Sequence, residues 1–358
     1  MSTDRIRLVV LFGGQSAEHD VSCVSARHVL AAVDPSRYTI EPVGITRDGA
    51  WVRAEDAMAA LARGAESLPD SLKAVGPDYD LLPAMHGALQ EGDQVVVLPV
   101  LHGPMGEDGT VQGFLELAGV PYVGCGVLGS ALTMDKAKAK EVLAHAGIPQ
   151  CEYRSFHRTE WSPQLADDVI NQLGSALFVK PANMGSSIGV TRATSREELV
   201  AAVELALTYD EWIVIEEAIT GREIECSVLG NDEPRVSLPG EILPADEFYS
   251  YNDKYHDGAA GLMVPADLPA DVVADIQNTA AAALKALRCE GLARADFFFE
   301  TDGRGLLLNE LNTMPGFTPI SMYPKMWAAS GLSYPELIDE LVRLALERHE
   351  RRRRRTDH

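Results

Sequence analysis

Arg5-Ile-Arg-Leu-Val-Val-Leu-Phe-Gly-Gly14 is an apolar run of strand length stopped by two glycines. This is the pattern of a parallel strand buried on both faces that ends in a turn. Beyond the turn, Glu18–Val33 places Val21, Val24, His28 and Val29 at helical spacing. Tyr38–Ile45 and Gln94–Leu101 read as further strands, and Thr110–Ala118 as another helix. Strand–helix alternation of this kind predicts an α/β, doubly wound sheet whose ligands sit at the carboxyl ends of its strands.

The texture changes after Asp135. A helix over Lys136–Ala146 is closed by Gly147 and Pro149, and strands are predicted at Ala176–Lys180 and Ile188–Arg192. Ser195-x-x-Glu198 reads as a capping box opening a helix, followed by the strand Trp212–Glu216. Further strands are expected near Glu223–Leu229, Arg294–Glu300 and Gly305–Leu311, with an Ala-rich helix over Ala270–Leu287. Ala245–Val264 fits neither period; polar, glycine-punctuated and carrying three tyrosines between Tyr249 and Tyr255, it reads as a lid. Arg351–Arg355 reads as a solvated tail.

Composition narrows the function. The 358 residues suffice for two or three domains at roughly 100–200 residues each. Fifty-three acidic against 31 basic side chains give a net charge of −22, which repels phosphate backbones and argues against a nucleic-acid partner. A small anionic ligand feels only the local field of its cleft. No apolar run reaches the ~18 residues of a membrane span, and no signal architecture opens the chain. Five scattered cysteines without a Cys-x-x-Cys pair suit a reducing compartment, and the expected location is cytoplasmic.

Several chemistries fail on motif or context. There is no Gly-Lys dipeptide, hence no Walker loop, and no His-Glu-x-x-His zinc motif. Gly185-Ser-Ser-Ile-Gly189 matches a hydrolase elbow by letter, but an elbow needs a helix after the serine and Ile188–Arg192 reads as a strand. The same segment, Lys180-Pro-Ala-Asn-Met-Gly-Ser-Ser187, is better read as a phosphate-wrapping loop with Lys180 supplying charge. By itself such a loop is more often a plain hairpin. Arg294 and Asp296 share one strand face, and Glu310 and Asn312 have the same spacing on the next strand. Asp296, Glu310 and Asn312 would then offer oxygen-only ligation of the kind Mg²⁺ takes; the bland reading is a solvated polar face. His102-Gly-Pro-Met-Gly-Glu-Asp-Gly109 reads as a turn or a substrate-approach loop, and Glu18 sits at the mouth of the first strand.

Taken together these segments resemble the ATP-grasp ligases, and closely the D-alanine–D-alanine ligases. The matching stretches are Gly13–Ser22, His102–Gly113, Met134-Asp-Lys136, Lys180–Ser187, Glu216-Glu217 with Gly221-Arg-Glu223, Asp253-Lys-Tyr255, Arg294-Ala-Asp296 and Asn309–Gly316, running on to Ser321-Met322. They follow the family's order from about residue 5 to 345. The resemblance implies a Rossmann-like domain over 1–128, a central ATP-grasp subdomain over 129–219, a C-terminal ATP-grasp subdomain over 220–347 with the lid at 245–264, and a basic tail over 348–358.

It also implies roles. Lys136 and Lys180 would contact ATP phosphates under the Ser186–Ser187 loop. Glu216, Glu217, Ala218 and Ile219 would form the adenine edge, and Glu223 would bind ribose. Asp296, Glu310 and Asn312 would hold two Mg²⁺ ions, for which Mn²⁺ can substitute. Glu18 would take the first D-alanine's ammonium, with His102 near its carboxylate. Arg294 and the Gly316 N–H would stabilise the oxyanion, and Ser321 and Met322 would bind the second D-alanine's carboxylate. Lys254 of the lid would reach phosphate, while Tyr255 would join Ser186 and Glu18. The implied reaction makes D-alanyl-D-alanine for peptidoglycan precursors through an acyl phosphate, in a homodimer. Tyr255 favours D-alanine as second substrate; relatives that make D-alanyl-D-lactate carry a different residue there, typically His. The alternatives are a D-alanine–D-lactate or D-alanine–D-serine ligase, another ATP-grasp carboxylate–amine ligase, and a silent nucleotide-binding module.

Overall fold

The computed structural model describes residues 5–84, 94–243 and 261–352. Strand β1 (Ile6–Gly13) lies parallel to β2 (Tyr38–Ile45) and β4 (Val95–Pro99), while β3 (Trp51–Arg53) adds an antiparallel edge beyond β2. Alternate β1 side chains go to opposite faces. Leu8, Val10 and Phe12 pack with Val29 and Leu30 of α1 (His19–Ala32), and Val9 and Leu11 pack with Val111 and Leu115 of α3 (Thr110–Ala118). Both faces are covered, as the unbroken apolar run requires. Helix α2 (Glu55–Leu61) also joins the first of these cores.

The buried stripe of α1 is not the one the periodicity suggests. Ser22, Cys23, Ser25, Ala26, Val29 and Leu30 face inward, while Val21, Val24 and His28 are only half-buried. Small side chains let the helix approach the sheet, and the Ser22 hydroxyl is satisfied there by accepting from Gly13 N and donating to Val100 O.

Helices α4 (Val127–Met134) and α5 (Lys136–His145) lead into a second, antiparallel sheet. Its strands β5 (Tyr153–His157), β6 (Leu177–Pro181), β7 (Thr191–Ala193) and β8 (Trp212–Glu217) lie in the order β5-β8-β6-β7. Helices α6 (Ala166–Leu173) and α7 (Arg196–Ala206) cover one face. The third sheet runs β12 (Gly261–Met263), β11 (Gly240–Leu243), β9 (Arg222–Gly230), β13 (Gly291–Glu300), β14 (Gly305–Asn312), with β10 (Arg235–Val236) beside β9. Helix α8 (Ala270–Ala286) packs Ile276, Ala280, Ala283 and Leu284 beneath it. Helices α9 (Met322–Ala329) and α10 (Tyr334–Arg351) close the chain against the first sheet's core.

Four expectations need correction. Ile188–Val190 is a turn rather than strand, because Ser186, Ser187 and Gly189 take φ of 50°, 58° and 72°, and pairing begins only at Thr191. The elbow still lacks its helix. Ser195 Oγ accepts from Glu198 N at 3.2 Å, but the Glu198 carboxylate accepts from Thr194 instead of closing the box. The expected lid ends in strand, since Gly261–Met263 pairs with β11; residues 245–260 lie outside the described residues. Finally, the basic tail expected from residue 348 starts inside α10, while Arg351 and Arg352, the described part of the run read as solvated, are exposed. Buried Arg348 donates to Gly124 O and Tyr122 O over the Tyr122 ring, and Arg351 and Arg352 both pair with Glu290.

Candidate active site

The three sheets meet at one cleft. Glu18 enters it because Gly13 and Gly14 turn the chain at the end of β1; a Cβ on Gly13 would lie 2.3 Å from Ile45 O, at φ 89°, so no other residue fits. The Glu18 carboxylate is only 6% exposed and accepts a hydrogen bond from Ser186 of the β6–β7 loop. A Cβ on Gly103 or Gly185 would come within 2.9 or 3.1 Å of its Oε2, so these two glycines make the room it occupies. Ser16 Oγ accepts from Glu18 N at 3.2 Å and donates to His102 O at 2.7 Å. His102 Nδ1 lies 3.0 Å from Met314 O. A carbonyl only accepts, so Nδ1 carries the proton and ties the Gly-rich loop to the segment after β14.

The carboxylate pairs face each other across β13 and β14. Asp296 is opposite Glu310 and Arg294 is opposite Asn312, with a bulge directly after Asp296. Arg294 Nε and Nη2 donate to the two Asp296 oxygens at 2.6 Å each, Nε lies 3.1 Å from Glu225 Oε2, and Asn312 Nδ2 donates to Asp296 at 2.8 Å. Burial would lower the Arg294 pKa, but Asp296 and Glu225 outweigh it and hold it above its ordinary value. Among the described residues no three His, Cys, Asp or Glu side chains form a ligand cluster. The donors here are two carboxylates and an amide oxygen, a hard set, and they already draw one cation, Arg294, into their midst. These residues fit a hard divalent ion such as Mg²⁺.

Opposite stand the lysines. Lys136 Nζ donates to Met184 O at 2.6 Å and lies 4.0 Å from Glu310 Oε2, while burial lowers its pKa. Lys180 Nζ lies 2.6 Å from Glu216 Oε2 and 3.5 Å from Asn309 Oδ1. A cavity of about 180 Å³ lies between these groups, lined by Lys136, Lys180, Ser187, Glu223, Glu310 and Asn312 among others. A larger cavity, about 710 Å³, opens beside the Gly13–Ser16 turn and is walled mainly by side chains such as Trp51, Leu82 and Phe114. The smaller one holds the chemistry.

The remaining expected residues divide. Glu216, Glu217 and Ile219 line the cleft, the Glu217 carboxylate accepting from Glu152 N and Arg304, while Ala218, whose N donates to Ala176 O, is not in its lining. The Glu216 carboxylate is likewise engaged, by Lys140 and Lys180. Met322 is packed with Ile242 and Met326, so its contribution can come only from its amide at the start of α9. Ser321 Oγ is 2.8 Å from Thr318 Oγ1 and 3.2 Å from where a Cβ on Gly316 would lie, placing Gly316 and Ser321 side by side. Lys254 and Tyr255 lie outside the described residues.

Comparison with known proteins follows the same geometry. The D-ala D-ala ligase N-terminus profile matches residues 7–125 and the D-ala D-ala ligase C-terminus profile matches 142–343. The chain is 44% identical over 356 residues to the D-alanine–D-alanine ligase of Natranaerobius thermophilus, covering 98% of this chain and 97% of that one. It is 46% identical over 359 residues to the ligase of the same name from Bacillus cytotoxicus, covering 98% of each.

The chain belongs to the D-alanine–D-alanine ligase family.

Among solved members, the Coxiella burnetii D-alanine–D-alanine ligase superposes with a TM-score of 0.79 at 34% identity, covering 97% of both chains. The VanG D-Ala:D-Ser ligase of Enterococcus faecalis gives 0.77 at 34%, covering 95% of this chain and 99% of its own. The Bacillus anthracis ligase complexed with ATP gives 0.73 at 27%, covering 96% and 99%. The fold is thus the ATP-grasp fold of these ligases. Three groups in or directly behind this ligase's cleft escaped sequence reading. Lys140 is one turn after Lys136 on α5, Glu225 is on the same β9 face as Glu223, and Glu107 lies in the Gly-rich loop. Burial, then Glu18 and Glu310 nearby, push the Glu107 carboxyl well above the usual range. Spacing alone, i,i+4 and i,i+2, was the available signal.

Proposed function

We propose that the protein ligates two D-alanines with ATP, giving D-alanyl-D-alanine, ADP and phosphate. The observation that carries this reading is that Lys136 and Lys180 line one cleft with Asp296, Glu310 and Asn312, and that Ser186, also in its lining, donates a hydrogen bond to Glu18. The lysines, with the Ser186–Ser187 loop, bind phosphate oxygens; the Glu216–Ile219 main chain meets the adenine edge, and Glu223 the ribose. Glu18 binds the first D-alanine's ammonium, and His102 orients that substrate's carboxylate. A carboxylate oxygen attacks the γ-phosphorus, the bond to ADP breaks, and an acyl phosphate forms. The second D-alanine's amine attacks the carbonyl carbon, loses a proton, and expels phosphate; Arg294 and Gly316 N–H stabilise the oxyanion, and Ser321 and the Met322 amide hold the second carboxylate. A divalent ion held by Asp296, Glu310 and Asn312 would supply charge neutralisation at the phosphates. Acyl phosphates hydrolyse, so the segment carrying Lys254 and Tyr255 excludes water.

The same reading includes two Mg²⁺ ions with Mn²⁺ able to substitute, a cytoplasmic homodimer, a role in supplying peptidoglycan precursors, and the division at residues 128, 219 and 347. No helix of the described residues is long and apolar enough to cross a membrane. A second reading, D-alanine–D-serine ligation, has one observation behind it: the VanG ligase is as similar, at 34% identity, as the Coxiella enzyme. The test is ADP release by the purified protein with ATP and Mg²⁺. Release that needs D-alanine, and falls about 100-fold in Lys180→Met, supports the reading. Release independent of any D-amino acid, or coupling of D-lactate in place of D-alanine, overturns it.

A further inference from the structure

Behind the phosphate-facing lysines lies a buried ion cluster with an odd charge count. Lys140 is 2% exposed, yet its ammonium lies 3.1 Å from Glu216 Oε1; the other oxygen of that carboxylate, Oε2, is 2.6 Å from Lys180 Nζ. The remaining contacts of Lys140 are the Cys151 sulfur at 3.4 Å and the face of the Tyr153 ring at 5.3 Å. One carboxylate therefore serves two ammonium groups, leaving the trio one positive charge in excess. Lys140 does not line the 180 Å³ cavity that Lys136 and Lys180 line; it reaches only an adjoining cavity of about 10 Å³, and its charge is paired with Glu216. Without it, the Glu216 charge would fall wholly on Lys180 and cancel it. In a desolvated site such cancellation weakens the attraction for an anion far more than it would in water.

We propose that Lys140 is a positioning residue for ATP: by neutralising Glu216 from behind, it leaves the Lys180 charge available to the nucleotide's phosphates. This rests on the reading of the cleft as an ATP site. The reaction chemistry is untouched, so the effect falls on nucleotide affinity and not on D-alanine.

Steady-state kinetics of four variants of the full-length enzyme test it, with ATP, Mg²⁺ and D-alanine. Lys140→Met should raise KM for ATP about tenfold or more while KM for D-alanine stays within about twofold. Lys140→Arg, which keeps the charge, should restore ATP KM to within about threefold of wild type. Lys140→Met combined with Glu216→Gln again leaves one net positive charge and should also bring ATP KM to within about threefold of wild type. The double variant keeps the net charge of the wild-type trio, so it carries the test if Lys140→Met does not fold. A KM for ATP in the double variant as high as in Lys180→Met overturns the proposal, as does a Lys140→Met enzyme that loses kcat with KM for ATP unchanged. If Lys180→Met itself leaves KM for ATP at the wild-type value, the ATP-site reading fails and the proposal falls with it; if only Lys140→Met is silent, the site stands and the proposal alone fails.

Discussion

Glu18 is a buried carboxylate whose hydrogen bond comes from Ser186, 168 positions away in the chain. Each residue depends on a special backbone: Glu18 follows the two-glycine turn, and Ser186 holds φ at 50° in the left-handed region. Ser186→Ala removes a donor to a charged acceptor, and the expected result is a rise of about tenfold in KM for D-alanine at the first site, with KM for ATP little changed. Initial-rate kinetics against each substrate separate the two. Sequence reading brought Glu18 and Ser186 to the same site because both stand in recognisable glycine-rich motifs. Lys140 was missed for the opposite reason: it shares its helix face with Lys136, but its partner Glu216 is supplied by another sheet, and no local pattern reports that pairing.

At the scale of elements, β13 and β14 owe their site to register. Asp296 falls opposite Glu310 only because the hairpin pairs as it does, and the bulge after Asp296 changes the register immediately beyond it. Removing divalent ions with a chelator should abolish turnover while far-UV circular dichroism is unchanged, and added Mg²⁺ should restore it; loss of secondary structure would make the ion structural. Helix α10 shows what composition conceals. The basic tail expected over 348–358 begins at Arg348, yet Arg348 is 3% exposed and satisfies the Tyr122 and Gly124 carbonyls. Arg348→Ala leaves both carbonyls without a donor and should cost about 2–3 kcal/mol in urea unfolding. The parallel strands β1, β2 and β4 of the first sheet were legible because a doubly covered strand is largely apolar; β3, β10, β11 and β12 were not, being four residues or fewer with no period to read.

Over the whole molecule, the buried cluster in the cleft links stability to pH. Burial would raise the Glu216 carboxyl, but Lys140 and Lys180 overcome this and hold it at about 2, against an ordinary 4.5. A carboxylate depressed in this way contributes stability that is complete above about pH 4.5 and is lost as the pH falls towards about 2. Lys140→Met removes one cation, moves the folded pKa of Glu216 upward, and should shift acid unfolding to higher pH in a circular-dichroism titration; an unmoved acid midpoint contradicts the pairing. The acidity of the chain as a whole, −22, says nothing about this. It coexists with a cleft where Lys136, Lys180 and Arg294 gather from three separate segments, and the division of labour among the three sheets makes that gathering possible.

The central claim is that this cleft joins D-alanine to D-alanine. It is tested most directly by incubating the purified enzyme with ATP, Mg²⁺ and equal concentrations of D-alanine, D-serine and D-lactate at neutral pH, and identifying the products by mass spectrometry. The account predicts D-alanyl-D-alanine as the dominant product, formed with stoichiometric ADP. A dominant D-alanyl-D-serine or D-alanyl-D-lactate, or ADP without any dipeptide, would contradict it.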